Sequence, residues 1–258
     1  MLIGSYTPSL VLISIFVAIL ASYTALDLAG RIVTAKGRAV YLWMGGGALA
    51  MGIGVWSMHF IGMLAFHLPV ELGYDLPITL LSLALAILSC GFALWLVSQP
   101  QLPALQLSFG ALVMGAGISA MHYCGMAALR MQPGIEYAPS LFVGSLVIAV
   151  SASAAALWIT FRLRRQTPYV RLARGGAAVF MGMAIVGMHY TGMAAAGFAD
   201  GSFCGAVGSG LRVDGLDTLV LVTSLAVLTI ALLTSILDAR MEDRTADRKS
   251  TRLNSSHP

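Results

Sequence analysis

The chain has 258 residues, 58% of them hydrophobic and 10% charged, with a formal net charge of +4 and a mean hydropathy of +0.86. Soluble domains average about 45–50% apolar and about 25% charged residues, so this composition excludes a water-soluble globular enzyme and indicates an integral membrane protein. A pI near 9.1 would suggest a nucleic-acid partner in a soluble protein, but in a membrane protein basic residues chiefly set topology, and no nucleic acid is expected.

A helix crossing a bilayer uses roughly 20 apolar residues. Stretches of that kind run over 9–28, 39–63, 76–97, 105–128, 140–161, 175–198 and 218–237. The expected fold is therefore all-α, a polytopic membrane protein with seven transmembrane helices. The third and fourth spans share one uncharged stretch, which Ser98, Gln99, Pro100, Gln101 and Pro103 break into a hairpin. The amino terminus is apolar and lacks the basic region of a signal peptide, so it reads as an uncleaved first helix. Cys90, Cys124 and Cys204 form no C-x-x-C pair and no disulfide framework.

Basic residues fall into alternate connections. Arg31, Lys36 and Arg38 follow the first span; Arg162, Arg164, Arg165, Arg171 and Arg174 follow the fifth; Arg240, Arg244, Arg248, Lys249 and Arg252 follow the seventh. The positive-inside rule makes those segments cytoplasmic, which puts the amino terminus outside and the carboxyl terminus inside. The opposite connections hold Arg130 and Arg212 and carry Glu71, Asp75, Glu136, Asp200, Asp214 and Asp217.

A segment recurs three times at an interval of about 65 residues. The copies begin at Met51, Met114 and Met181 and share the pattern M-G-x-G/A-I/V-x-x-M-H-F/Y-x-G-M. Each ends an even-numbered span, so the chain reads as three two-helix repeats plus one helix, with every motif near the outer face. In the first copy Met51, Val55, Met58 and Gly62 share a stripe at 100° per residue, with His59 and Met63 on its flank. Methionine and glycine on one helix face are ordinarily packing, since a thioether fills gaps and glycine admits a neighbour. Histidine at membrane depth is costly and functional by default. Three at equivalent positions, His59, His122 and His189, are expected to converge on a shared site.

Thioether and imidazole together point to copper: soft sulfur suits Cu(I), imidazole also accepts Cu(II), and structural zinc sites prefer thiolates. Magnesium and calcium want oxygen ligands. Haem held by His or His/Met axial ligands is the second choice, bound non-covalently because no C-x-x-C-H motif is present. Phe60, Tyr123 and Tyr190 read as interfacial belt residues. His67 reads as a surface residue, Cys124 as inert packing, and Asp27 with Arg31 as a local i, i+4 ion pair.

The three M-H-F/Y-x-G-M copies on alternate helices resemble the MHYT family of bacterial integral membrane sensor domains. The first copy reads Met-His-Phe-Ile, the second Met-His-Tyr-Cys and the third Met-His-Tyr-Thr. The resemblance covers roughly residues 9–240. It implies a non-enzymatic sensor that holds copper and detects oxygen, carbon monoxide or nitric oxide. The motif's ligand positions are Met58, His59, Met63, Met121, His122, Met126, Met188, His189 and Met193. It also implies a cytoplasmic output domain, in many members one that makes and degrades cyclic di-GMP.

Residues 1–240 are thus expected to form the membrane domain and 241–258 a cytoplasmic tail. The end, Arg248 to Pro258 with His257, resembles translated vector or adapter sequence. A copper transporter or delivery protein is the principal alternative, because Met51, Met114 and Met181 sit about 10 Å deeper by helix rise. A membrane oxidoreductase subunit is the third reading. It needs a second redox centre or quinone pocket that the sequence does not supply.

Overall fold

The computed structural model describes residues 1–165, 169–208, 211 and 212, and eight residues between Thr218 and Leu233. Six long helices account for most of it: α1 (Pro8–Thr34), α2 (Arg38–Ala65), α3 (Leu76–Ser98), α4 (Ala104–Ala127), α5 (Pro139–Leu163) and α6 (Val170–Ala195). All six are long and apolar enough to cross a membrane. The eight residues from Thr218 onward are helical and belong to the seventh span; the rest of that span and the tail 241–258 lie outside the described residues. The chain is an all-α polytopic membrane protein.

The sequence places most helix ends within two residues. Three ends differ by more: α6 stops at Ala195, short of 198, where residues 196–197 pair as a strand with 136–137. The other two run on for a physical reason. α1 continues to Thr34 and α6 starts at Val170, past the apolar stretch, because Asp27 pairs with Arg31 (2.8 Å) and with Arg174 (3.4 Å) across the two helices. Charge neutralised this way does not end a helix. At the same end Arg164 donates to the carbonyl oxygens of Val97, Gln99 (2.6 Å) and Pro100 (3.3 Å). It thereby caps the unpaired carbonyls at the end of α3 and fixes the proline hairpin.

Each helix packs on its neighbours in the order α1 to α6, and α6 closes on α1. The ring has approximate three-fold symmetry. At its other end the residue before each odd helix donates to the last turn of an even one: Thr7 to Ala65 (2.9 Å), Asp75 to Ala128 (2.8 Å) and Ala138 to Ala195 (2.8 Å). Among the described residues four two-residue strand pairs stitch the loops there, namely 5–6 with 66–67, 73–74 with 211–212, 131–132 with 203–204, and 136–137 with 196–197.

The two conserved-spacing glycines of each motif copy have separate tasks. A Cβ added at Gly52, Gly115 or Gly182 would lie 2.6–2.8 Å from the Cα of Ile87, Val150 or Ile19. The first glycine thus brings each even helix against the backbone of an odd one. The partners are α3, α5 and α1.

A histidine triad at the bundle axis

The three motif histidines lie on three different helices and are essentially buried, with exposures of 1%, 0% and 0% for His59, His122 and His189. Their Nδ1 atoms form a triangle: 3.1 Å from His59 to His189, 3.1 Å from His122 to His59, and 3.3 Å from His189 to His122. The rings meet edge to face with centroids 4.9–5.1 Å apart.

The protein alone does not satisfy this triangle. A neutral imidazole carries one N–H, and a ring nitrogen that donates has no lone pair left to accept. Of three mutual Nδ1 contacts, at least one therefore sets donor against donor or lone pair against lone pair. The Nε2 atoms offer no escape, since all three are buried without a hydrogen-bond partner. Each instead packs on the last glycine of a neighbouring motif: His189 on Gly62, His59 on Gly125 and His122 on Gly192. That packing aims Nδ1 at the axis. Three imidazole nitrogens bound to one ion at about 2.0–2.1 Å stand roughly 3.3–3.5 Å apart, close to the spacing observed. The donor set fits one ion, and the small triangle leaves no room for a porphyrin.

The ligand-position methionines, Met58, Met63, Met121, Met126, Met188 and Met193, are all buried in the same core, none more than 3% exposed. Along each even helix the line that reaches the axis is i, i+4, i+8, as in Met51, Val55 and His59. Gly62, expected on the stripe with Met51, instead meets a neighbouring histidine. His67 is exposed, bonds the Ala65 carbonyl and stands apart from the triad. The Cys124 thiol donates to the Ile78 carbonyl at 3.6 Å, as inert packing would.

The belt reading is corrected for Phe60, which is fully buried. Tyr123 and Tyr190 are half-buried, each edge-on to its own histidine at 4.8 and 4.7 Å between centroids. Their hydroxyls bond Ser145 (2.5 Å) and Ser14 (3.0 Å) on odd helices. In the first copy Phe60 has no hydroxyl, and the equivalent serine, Ser82, accepts from Trp56 Nε1 at 3.0 Å. A buried hydroxyl needs a partner, and the neighbouring helix supplies one where water is absent. Outside the spans, Tyr6 packs against Tyr190; burial, with a smaller contribution from Tyr190, raises its phenol to about 12. The phenol stays neutral at physiological pH.

The glycine-to-histidine packing carries a test. Gly125→Ala is expected to displace the His59 ring and destabilise the bundle by about 1–3 kcal/mol, as overpacking does. Gly187→Ala, where an added Cβ meets nothing within 4 Å, is the control and should stay within about 0.5 kcal/mol. Equal thermal unfolding of the two variants would contradict the assigned packing.

Comparison with known proteins bears on this geometry. The family described as MHYT, bacterial signalling protein N-terminal repeat, matches residues 52–110, 115–173 and 182–244. The chain is 62% identical over 186 residues to the bifunctional diguanylate cyclase/cyclic di-GMP phosphodiesterase MucR of Pseudomonas aeruginosa, which covers 72% of the chain and 27% of MucR. It is 42% identical over 177 residues to the cyclic di-GMP phosphodiesterase NbdA of the same organism, covering 69% of the chain and 22% of NbdA. Signaling protein YkoW of Bacillus subtilis is 34% identical over 183 residues, covering 70% and 23%. The chain thus spans about a quarter of the length of these curated relatives. No solved structure matches it. The third matched segment joins α6 to the residues that follow it, whereas the position facing Gly182, equivalent to α3 and α5, is held by α1.

Proposed function

Because this chain belongs to the MHYT family of bacterial signalling proteins, we propose that it is a membrane sensor domain whose histidine triad holds one copper ion. The observation that carries the reading is the Nδ1 triangle, with sides of 3.1–3.3 Å, formed by one histidine from each of α2, α4 and α6. His59, His122 and His189 would hold the ion, and the buried methionines beside them give it a soft, apolar surround. Bound copper supplies a redox-active centre with affinity for oxygen, carbon monoxide or nitric oxide. The protein's own part is to exclude water, to fix each imidazole against a glycine, and to tie three helices to one point. Any ligand with different affinity for two arrangements of those helices shifts their packing.

We place the triad near the outside of the inner membrane, because Arg31, Lys36, Arg38, Arg162, Arg164, Arg165, Arg171 and Arg174 lie at the opposite end of the bundle while its own end carries Arg130 and Arg212. Labelling of single cysteines should then mark the 71–75 loop from outside and the 36–38 loop from inside. The reverse pattern would reject that orientation. The signal runs inward to a cytoplasmic output domain, and the cyclic di-GMP activities in the names of MucR and NbdA supply its chemical class. Copper transport or delivery is the second reading, favoured by the deeper methionines Met51, Met114 and Met181. Metal analysis with electron paramagnetic resonance of the detergent-purified chain tests the site. One Cu(II) per chain with coupling to three nitrogens is expected, and a haem spectrum or no nitrogen coupling would overturn the assignment.

A further inference from the structure

Below the histidines, the bundle axis holds a second set of donors. One turn down, Val55, Ile118 and Ile185 form a ring over an internal cavity of about 60 Å³. Two turns down lie Met51, Met114 and Met181. These three line that cavity and also a smaller one of about 30 Å³ on its far side. Their side chains therefore form the partition between the two spaces. By helix rise the partition lies about 12 Å from the triad.

The odd helices add one equivalent residue each to the upper cavity wall: Ser22, Cys90 and Ser153. Ser22 is bonded to the Ala18 carbonyl at 2.8 Å. Cys90 is a free, fully enclosed thiol, 1% exposed. One small space is thus shared by three symmetry-related thioethers and a thiol. Its other walls are alanine, branched aliphatic residues and Met188, and among the described residues no carboxylate lines either cavity.

We propose that Met51, Met114, Met181 and Cys90 form a second metal site, selective for a soft monovalent ion of the Cu(I) class and separate from the histidine triad. Thioethers are neutral and soft and select Cu(I) over zinc and over harder ions. Net charge decides the valence. A cation in an apolar cavity is costly unless compensated. Coordination of Cu(I) by Cys90 breaks the S–H bond, forms a Cu–S bond and releases one proton to solvent, which leaves the site neutral. A divalent ion there keeps an uncompensated positive charge. The proposal shares the soft-metal chemistry of the proposed function but does not need the triad to be occupied.

The test titrates the full chain with Cu(I) under anaerobic conditions and excess glutathione, which suppresses binding to isolated thiols. The native chain should take up a Cu(I) ion whose X-ray absorption shows a sulfur-only shell, and the His59→Ala, His122→Ala, His189→Ala variant should retain it. Met51→Leu, Met114→Leu, Met181→Leu keeps side-chain volume and should lose that ion while its Cu(II) signal from the triad persists. Cys90→Ala, a milder change, should weaken Cu(I) binding at least tenfold. Silver should protect Cys90 from a small thiol-methylating reagent in the histidine variant. Sulfur-only Cu(I) binding that survives the methionine replacements would overturn the proposal, as would its loss from the histidine variant alone. Xenon filling the cavity of Cu(I)-saturated protein would instead identify a purely apolar pocket. Loss of Cu(II) at the triad with Cu(I) retained would reject the histidine reading and leave this one standing.

Discussion

Replacing His59, His122 and His189 together with alanine is expected to abolish nitrogen-coupled Cu(II) binding while helical content, measured by circular dichroism in detergent, stays at the native level. In the proposed site the triad supplies all three nitrogens, and removing polar groups at membrane depth does not oppose insertion. The substitutions also remove the triangle's unavoidable repulsive contact, so part of the packing lost with the rings is offset. A single His122→Ala leaves His59 and His189 with Nδ1 atoms 3.1 Å apart and an opened third corner. Its loss of affinity should exceed the roughly 10–100-fold typical of outer-shell changes. His67→Ala, at an exposed position outside the triad, should bind copper as the native chain does. Unchanged copper content in the triple variant would remove the basis for a shared site.

Asp27→Ala should be the most destabilising single substitution at the arginine end. Asp27 accepts from Arg31 at 2.8 Å and from Arg174 at 3.4 Å, and the Arg174 side chain is only 3% exposed. Removing the carboxylate leaves a buried guanidinium without its counter-charge, at a cost of about 3–5 kcal/mol. Arg174 keeps its bonds to the Leu163 carbonyl at 3.0 and 3.2 Å, so the fold should persist with α1 and α6 less firmly joined. Asp27→Asn keeps an acceptor and should cost less. Unfolding of purified protein by denaturing detergent reads the difference, and a loss under about 1 kcal/mol for Asp27→Ala would show that the pair is not what joins α1 to α6.

Much of this protein follows from its sequence alone. Uninterrupted apolar length fixes the spans, because in lipid every backbone group must bond within its own helix. A repeated motif on alternate spans implies repeated geometry, so three histidines at equal depth follow from spacing. The proposal of copper over other ions rests on side-chain chemistry, which is a property of residue type and needs no coordinates to state.

What the sequence left open depends on which helix lies beside which. Spacing along one helix shows that Gly62 and Met51 lie on one side. It does not show that Gly62 will be filled by His189, a residue 127 positions away (189 − 62). The hydroxyl bonds of Tyr123 and Tyr190 are of the same kind, since spacing along one helix does not name the partner, and only the packed bundle supplies Ser145 and Ser14. The matched family segments pair each motif helix with the helix after it, yet α1 takes the third place, against Gly182. Ring closure decides this: the six helices α1 to α6 pack as a closed ring with three equivalent contacts, and the first helix occupies the position that the repeat alone would assign to the seventh.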